Sequence, residues 1–373
     1  MVVKVVTLVG TRPELIKLSL TIAELDRHLQ HVLVHTGQNY DFELNEVFFR
    51  DLGIRKPDHF LEAAGGSAAR TIARVIERFD EVLEIERPDA MLVLGDTNSC
   101  LGVIAAKRRR IPIFHMEAGN RCFDARVPEE TNRKIVDHIS DINLPYTEHA
   151  RRYLLAEGLR PDMVIKIGSP MREVLLHFAD CIASSQAREQ LGLNKASYFL
   201  VSAHREENVD DTARLQTLLN SLQALVDAYS LPVLFSAHPR TRERLGALPA
   251  RNLDERISVI KPFGFFDYIA LQKEAFCVIS DSGTLTEESA ILGFPAVMIR
   301  DAHERPEGMD EGTVVMCGLH AERVLDAVRL VVAQKSVSIG APPDYDAVHV
   351  SAKVVRTIVS YVDFVNRTTW HKP

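Results

Sequence analysis

The stretch HMEAGNR at residues 115–121, followed by VPEETNR at residues 127–133, is the part of the sequence around which we interpret the rest. The apolar run at 111–114 predicts a buried strand, and Pro128 with the acidic residues after it predicts the first turn of a helix. Glu117 directly follows that strand, at the end where open α/β sheets bind ligands, so we interpret it as functional. For Glu129 a role in the site and a favourable charge at the helix N-terminus stay equally open.

A chain of 373 residues exceeds the usual size of one hydrophobic core, which predicts two domains. Its 46% hydrophobic and 25% charged residues are typical of a globular protein, and a net charge of -7 favours neither nucleic acid nor an anionic membrane as partner. The five cysteines are scattered and never spaced C-x-x-C, which is typical of reduced thiols and implies no structural metal. We find no signal-peptide pattern and no apolar run of membrane-spanning length, and therefore expect a cytoplasmic protein.

Apolar runs of strand length alternate with amphipathic stretches of helix length, a pattern typical of parallel sheets covered by helices on both faces. The sequence predicts strands at residues 4–9, 31–36, 90–94, 111–114, 141–144, 164–167, 198–203, 231–236, 257–260, 276–280, 296–300 and 313–316. Helices are predicted at about 14–28, 68–86, 99–109, 129–139 and 347–366. We therefore expect an α/β fold of two doubly wound Rossmann-like domains, at residues 1–168 and 169–350, with a C-terminal helix within 351–373 that packs back across both.

Two loops of the first half carry candidate site residues. In GTRPE at residues 10–14, the backbone N–H groups that begin a helix, with Arg12 and Lys17 one turn apart, predict an anion site suited to a phosphate. Charges on the helix surface are the alternative for this pair. Asp96 either caps the next helix or faces the site beside Glu117. Its carboxylate is available to the site only if Thr97 or Asn98 provides the cap.

Two histidines follow predicted strands of the second half. Histidine side chains can change charge near neutral pH, so His204, within HREEN at residues 204–208, is a candidate proton carrier or phosphate ligand. His238 is a candidate of the same kind. For both histidines, a loop side chain with satisfied hydrogen bonds is the alternative.

The turn SDSGT at residues 280–284 predicts a nucleotide-binding loop. Its small residues offer backbone N–H groups to a phosphate, and Glu288 offers acceptors to a ribose diol. Tyr268, with Phe266 as a rival, offers an aromatic face for a base, although either ring also fits a core position. The sequence contains no dinucleotide fingerprint and no Walker loop, and we expect no cofactor.

Seven motifs, in this order, resemble those of the non-hydrolysing UDP-N-acetylglucosamine 2-epimerase family: GTRPE, LGDTNS, HMEAGNR, PEETNR, HREEN, SDSGTLTEES and ERPEGMDEGT. They extend from Gly10 to beyond Glu311. The resemblance implies two domains that face a central cleft, as in GT-B glycosyltransferases, and a homodimer. It also implies a UDP-sugar substrate whose nucleotide is held mainly by the C-terminal domain.

The same resemblance implies roles for individual residues. Asp96, Glu117 and Glu129 match the family's acidic catalytic residues, and His204 matches its active-site histidine. The residues implied or proposed to bind the substrate are Arg12, Lys17, Arg133, His238, Tyr268, Ser282, Gly283 and Glu288. Gln38 and Asn39 lie where some members bind a second, activating UDP-sugar.

The loop between Glu117 and Glu129 is shorter than in the general N-acetylglucosamine enzymes and resembles the branch that serves N-acetyl-L-fucosamine synthesis. Two substrates therefore stay open: UDP-GlcNAc, converted to UDP-ManNAc, and UDP-2-acetamido-2,6-dideoxy-L-talose, converted to UDP-N-acetyl-L-fucosamine. Both reactions supply surface polysaccharide precursors and would proceed by elimination of UDP to a glycal and its re-addition. A GT-B glycosyltransferase, a hydrolysing epimerase and a non-catalytic UDP-sugar sensor are the alternatives.

Overall fold

The computed structural model describes residues 2–37, 48–247, 253–337 and 339–372. Gln38 and Asn39, which the resemblance implies at a second UDP-sugar position, lie outside these residues. The chain forms two compact units: unit 1 comprises Met1–Leu176 with Pro343–Pro373, and unit 2 comprises His177–Pro342. The domain boundaries expected after residues 168 and 350 stay predictions.

The sheet of unit 1 is entirely parallel, with the strand order β3-β2-β1-β4-β5-β6. Its strands are β1 Lys4–Val9, β2 Gln30–His35, β3 His59–Phe60, β4 Ala90–Leu94, β5 Ile113–Met116 and β6 Ile142–Leu144. All five residues of β4 and all four of β5 are buried, as expected for central strands with helices on both faces. The order reverses between β1 and β4, and this reversal opens the crevice in which such sheets bind ligands.

The sheet of unit 2 repeats this arrangement, with the strand order β12-β11-β10-β7-β8-β9. Its strands are β7 Phe199–Ser202, β8 Val233–Ser236, β9 Ile257–Ile260, β10 Cys277–Ser280, β11 Ala296–Met298 and β12 Val315–Met316. The order reverses between β7 and β10. The predicted α/β class, with two doubly wound Rossmann-like domains, is confirmed.

Helices connect the strands of both units. Up to residue 190 they are α1 Arg12–His28, α2 Ala68–Glu86, α3 Val103–Arg108, α4 Pro128–Ile139, α5 Glu148–Ala156, α6 Met171–His177, α7 Ala179–Ala183 and α8 Ala187–Gln190. After residue 190 they are α9 Glu206–Val209, α10 Thr212–Tyr229, α11 Pro239–Ala247, α12 Phe265–Glu274, α13 Leu285–Leu292, α14 Pro306–Asp310, α15 Ala321–Ala333 and α16 Val350–Thr368. Single 3-10 turns occur at Asn98–Gly102, Pro161–Met163 and Pro343–Tyr345. None of these helices in the described part of the chain is long and apolar enough to cross a membrane.

At the edges of the first sheet, one predicted strand is absent and one observed strand was not predicted. Residues 164–167 form no strand, because Val164 makes a single bridge to Asn143 and Pro145 has no N–H group to continue the ladder. The two-residue strand β3 was missed, because it is too short to show an apolar run.

The segment from residue 343 onwards completes unit 1 through buried contacts. Helix α16 packs against α1. Before it, the Asp344 carboxylate accepts a hydrogen bond at 2.9 Å from the Glu148 N–H, in the first turn of α5, and another from Lys166 Nζ at 2.6 Å. Glu173 likewise accepts hydrogen bonds at the start of α16, from the Ser351 N–H at 3.0 Å and from the Ser351 hydroxyl.

We predict that Asp344→Ala lowers the apparent free energy of unfolding of the full chain by about 1–2 kcal/mol, because the Glu148 N–H in the first turn of α5 loses its acceptor and Lys166 its partner. Urea unfolding followed by circular dichroism measures this change. The matched control is Asp346→Ala, because Asp346 lies two residues away and makes only an exposed pair with Arg172. Equal effects of the two substitutions would contradict the role of Asp344 at the start of α5.

Candidate active site

The carboxyl ends of β1, β4 and β5 bring together three loops that the sequence marked as functional. The register pairs Leu94 with Met116, so β4 and β5 end level with one another. Asp96 lies two residues beyond β4, and Glu117 directly follows β5. The Gly95 N–H donates to the Met116 carbonyl at 3.0 Å, which holds the two loops side by side.

Glu117 lies in a strained turn and is almost buried. Its φ angle is 62°, in the left-handed region that non-glycine residues rarely adopt. The Lys17 ammonium lies 2.5 Å from Glu117 Oε2, and Asn120 Nδ2 donates to Oε1 at 3.3 Å. The two charged side chains expose only 5% and 13% of their surface, so Lys17 is not a charge on a solvated helix face.

Asp96 and Arg133 form a second ion pair at the neighbouring strand end. Arg133 Nε and Nη2 lie 2.9 and 2.7 Å from Asp96 Oδ2, and Asn132 donates to the Asp96 carbonyl at 3.0 Å. Thr97 occupies the N-cap position of the 3-10 turn, so the carboxylate of Asp96 is not used as a cap. Arg133, implied by the resemblance to bind the substrate, thus lies beside a candidate catalytic carboxylate.

The two acidic residues in the first turn of α4 have different surroundings. Glu129 is half-buried, whereas Glu130 is buried and accepts hydrogen bonds from the Cys122 N–H at 3.1 Å and Cys122 Sγ at 3.2 Å. Burial alone raises the pKa of Glu130, but the Cys122 hydrogen bonds and the charges of Arg133 and Lys134 outweigh it, so the pKa is lowered. Glu130 therefore anchors the short loop that joins Glu117 to α4.

The start of α1 is occupied by a residue that the sequence did not single out. Glu14 Oε2 accepts from the Gly10 and Thr11 N–H groups at 2.6 and 3.3 Å, and Oε1 accepts from the Thr97 hydroxyl at 2.6 Å. Glu14 thus ties the loop after β1 to the loop after β4 and takes two of the donors expected to bind an anion. Arg12, the other candidate in this motif, lies with its guanidinium carbon 5.1 Å from the centre of the Phe48 ring.

Burial raises the pKa of Glu14 to about 7, although its hydrogen bonds from Thr97, Gly10 and Thr11 act in the opposite direction. A raised carboxyl pKa means that the folded state binds the proton more tightly than the unfolded state does. The contribution of this proton to stability is therefore complete below the unfolded value of 4.5 and is lost as the pH rises through about 7.

We predict that Glu14→Gln removes this pH dependence, because glutamine keeps the shape and does not titrate. Between about pH 5 and pH 8 the wild type should lose roughly 2–3 kcal/mol of unfolding free energy relative to the variant. Urea unfolding of both proteins at several pH values measures the difference. Parallel pH profiles for the two proteins would show that Glu14 is ionised throughout.

In unit 2, a buried carboxylate organises the loop that carries His204. Asp281, fully buried at the end of β10, accepts from the N–H groups of His204 and Arg205 at 3.1 and 3.0 Å and from Asn208 Nδ2 at 3.1 Å. The imidazole of His204 is 45% exposed, with Nδ1 3.3 Å from Asp281 Oδ1. The backbone of this loop is thus fixed while the ring stays accessible.

The turn after β10 is held from two sides. The Ser282 N–H donates to Ser280 Oγ at 3.0 Å, and Arg305 Nε donates to the Gly283 carbonyl at 3.0 Å. A β-carbon at position 283 would collide with the Glu304 carboxylate, which itself pairs with Arg205 at 3.2 Å. Glu304 therefore approaches this turn closely, and a side chain at position 283 would require the Glu304 carboxylate to shift.

The remaining candidates of unit 2 have distinct surroundings. Gln272 donates to Glu288 Oε2 at 2.7 Å, and burial followed by the Glu288 charge raises the pKa of Tyr268, against hydrogen bonds with Ser202 and Gln272. The Phe266 ring lies 5.1 Å from that of Phe178 and packs within the unit. The assignment of Tyr268 to base stacking stays a prediction.

His238 lies two residues beyond β8 and is exposed. Within the ranges of the chain that the structure describes, no group of three or more His, Cys, Asp or Glu residues is arranged to hold a metal ion. The candidate chemistry of both units therefore consists of carboxylates, histidines, basic side chains and backbone N–H groups.

The two Rossmann-like units place their candidate residues, carboxylates at adjacent strand ends in one and a Ser-Gly turn in the other, at the switch points where open α/β sheets bind ligands. The family model described as UDP-N-acetylglucosamine 2-epimerase matches residues 23–359. The chain belongs to this family of isomerases.

Similar proteins of known structure span the whole chain. A UDP-N-acetylglucosamine 2-epimerase from Rickettsia bellii is 55% identical, covers 100% of both chains and has a TM-score of 0.94. The Methanocaldococcus jannaschii UDP-GlcNAc 2-epimerase, solved in complex with UDP-GlcNAc and UDP, is 31% identical and covers 96% of this chain and 99% of that chain, with a TM-score of 0.90.

A third relative has a different name. The UDP-2,3-diacetamido-2,3-dideoxy-D-glucuronate 2-epimerase of Pseudomonas aeruginosa is 34% identical over 332 residues, which cover 87% of this chain and 91% of that protein. Similarity at this level therefore extends to enzymes named for different sugars.

Proposed function

We propose that this protein interconverts UDP-N-acetylhexosamines that differ in configuration at C2, with UDP-GlcNAc and UDP-ManNAc as the first pair to test. The proposal is carried by one observation: in a chain of the 2-epimerase family, Glu117 and Asp96 lie at the ends of neighbouring strands, each paired with its own buried cation. Two separately held carboxylates suit a reaction that removes a proton from one face of a sugar and returns a proton to the other.

The chemistry requires that UDP leave and return. The C2 hydrogen of an N-acetylhexosamine is not adjacent to a carbonyl, so its direct removal would give an unstabilised carbanion. When the C1–O bond breaks and a carboxylate accepts the C2 proton, UDP departs and a C1–C2 double bond forms, giving a glycal. An acid then protonates C2 on the opposite face and the diphosphate oxygen adds back to C1, so that no atom or electron is gained or lost overall.

We assign the proton transfers to Asp96, Glu117 and Glu129, without a direction for each, and a supporting role to His204. The departing diphosphate needs preorganised positive charge, and Arg12, Arg133 and the N–H groups of the Ser282-Gly283 turn are suited to it. Lys17 contacts Glu117, so it contributes its charge at one of the carboxylates assigned to proton transfer. Glu288, Tyr268 and His238 are assigned to binding of the nucleotide.

The loop at residues 120–127 favours a second substrate, UDP-2-acetamido-2,6-dideoxy-L-talose, whose epimerisation gives UDP-N-acetyl-L-fucosamine. This loop is short and is held against α4 by Cys122 and Glu130. In either case the product is a precursor for surface polysaccharide. The reaction class is the same for both sugars.

The test is proton NMR of each UDP-sugar incubated with the full-length protein in heavy water. Epimerisation through a glycal introduces deuterium at C2 of the product, so we expect loss of the C2 proton signal together with growth of the C2 epimer. Binding of both sugars without exchange would refute the proposal and favour a glycosyltransferase or a sensor. Accumulation of free UDP with the released sugar would indicate a hydrolysing enzyme.

We predict that Glu117→Gln reduces epimerisation by at least about 100-fold and leaves UDP affinity nearly unchanged, because it removes a proton carrier at almost constant shape. NMR turnover assays and calorimetry measure the two quantities. Glu148→Gln is the control, because this half-exposed carboxylate of unit 1 lies 3.7 Å from its partners Arg151 and Arg152. Turnover close to that of the wild type would show that Glu117 is not a proton carrier.

We also predict that Arg12→Ala weakens UDP binding by about 1.5–3 kcal/mol, a rise in Kd of roughly 10- to 150-fold, because a charge-assisted hydrogen bond is lost. Isothermal titration calorimetry with UDP measures the effect. Arg27→Ala is the matched control, because Arg27 is an exposed arginine of the same helix. An unchanged Kd in the Arg12 variant would exclude contact with the diphosphate.

A further inference from the structure

We infer that Asp137 is a positioning residue that holds Glu117 in its left-handed conformation and sets its distance from Asp96. This inference rests on the proposed function, because it concerns the carboxylates assigned to proton transfer. Asp137 lies near the end of α4, nine residues after Pro128 with which that helix begins, and it is fully buried. Nothing in the sequence distinguishes it from an ordinary helix residue.

The left-handed backbone conformation of Glu117 requires contacts from residues outside its own turn. A non-glycine residue in the left-handed region is strained, and it persists only where the surrounding structure imposes it. Gly119, two residues after Glu117, has a φ angle of 83°, and a β-carbon there would collide with the Ala150 carbonyl oxygen. The backbone on both sides of Glu117 is therefore tightly constrained.

Asp137 constrains this turn through hydrogen bonds to the residues that follow Glu117. Both of its carboxylate oxygens accept from the Gly119 N–H at 3.2 Å, and Oδ2 also accepts from Arg121 Nη1 at 2.7 Å. On the other side of Glu117, the His115 ring packs against Asp137, with Nδ1 2.9 Å from Oδ1 but without a hydrogen bond between them, and both side chains are fully buried. One carboxylate thus contacts the chain two residues before Glu117, two residues after it and four residues after it.

His115 extends this network to the second carboxylate loop. Its Nε2 lies 2.8 Å from the carbonyl oxygen of Gly95, the residue directly before Asp96. The path Asp137–His115–Gly95 therefore connects the turn of Glu117 with the loop of Asp96 through buried polar contacts. A displacement of Asp137 would alter the geometry of both loops together.

Replacing the Asp137 carboxylate by a neutral group would change the charge balance around Arg121. Arg121 is buried between Asp137 and Glu157, whose oxygens accept from Arg121 Nε and Nη2 at 2.7 and 2.6 Å. Removing one partner of a buried ion pair leaves an uncompensated charge. We expect Arg121 to shift toward Glu157 in that case and to carry the residues after Glu117 with it.

Asp141 provides a matched control for a purely structural role. It is also buried, it lies four residues further along, and its oxygens accept from the Ile113 N–H at 3.0 Å and from Lys107 at 2.7 Å. These contacts hold the beginning of β5, whereas those of Asp137 hold the residues that follow its end. Asp141→Asn therefore removes a comparable buried charge without touching Glu117.

The experiment compares Asp137→Asn with Asp141→Asn in the full-length protein, using turnover, KM, UDP affinity and thermal unfolding. For Asp137→Asn we expect kcat to fall about 100-fold, as for a displacement of a catalytic group by an ångström, with the Kd for UDP within about threefold of the wild type. For Asp141→Asn we expect a lower unfolding temperature and a kcat within about threefold of the wild type. A near-normal kcat for folded Asp137→Asn, or an equal loss of kcat in both variants, would overturn the inference.

A crystal structure of the Asp137→Asn protein separates this inference from the proposed function. We expect the φ angle of Glu117 to leave the left-handed region, and retention of a φ near 62° would overturn the inference even if the wild type proved inactive in the heavy-water assay. Absence of exchange in the wild type, with a rearranged Glu117 in the variant, would refute only the proposed function. If Asp137→Asn does not fold, the same measurements are made on His115→Gln, because this substitution changes the side chain that lies between Asp137 and the Gly95 carbonyl.

Discussion

The interior strands of both sheets are buried on both faces, and this constraint determines where chemistry is available. A strand such as β4, with five buried apolar residues, leaves no polar side chain along its length. The charged groups of the candidate site therefore come mainly from the loops at the strand ends and from the helices that follow them, and the reversal of strand order separates two of those loops in each sheet. In unit 1 the segments after β1 and β4 carry Arg12 and Asp96, and in unit 2 those after β7 and β10 carry His204 and Ser282.

Both units stabilise such a loop by the same physical means, a buried aspartate that accepts backbone N–H groups. Asp137 accepts from Gly119 in unit 1, and Asp281 accepts from His204 and Arg205 in unit 2. Each carboxylate also receives a side-chain donor, Arg121 or Asn208. Loops that would otherwise be free to move are thus fixed by a few charge-assisted hydrogen bonds.

The sequence was sufficient for the fold and for the positions of the candidate carboxylates, because apolar periodicity locates strands and the strand ends locate loops. Glu117 and Asp96 could be selected in this way from their neighbours in the chain. Lys17 was predicted to bind an anion, and its contact with Glu117 could not be foreseen, because the two residues lie 100 positions apart. Asp137 was missed because its role depends on the packing of distant segments. Glu14 forms a local capping box with Thr11, whereas its contact with Thr97 joins distant segments.

The return of residues 343–373 to unit 1 has a consequence for the order in which the protein is built. Unit 2 is continuous in the chain, so all of its contacts lie within one uninterrupted stretch that ends at residue 342. Unit 1 differs, because the Glu148 N–H of α5 finds its acceptor on Asp344 and α1 finds its neighbour in α16. The half that carries the carboxylates is therefore completed by a segment that is synthesised after all of unit 2.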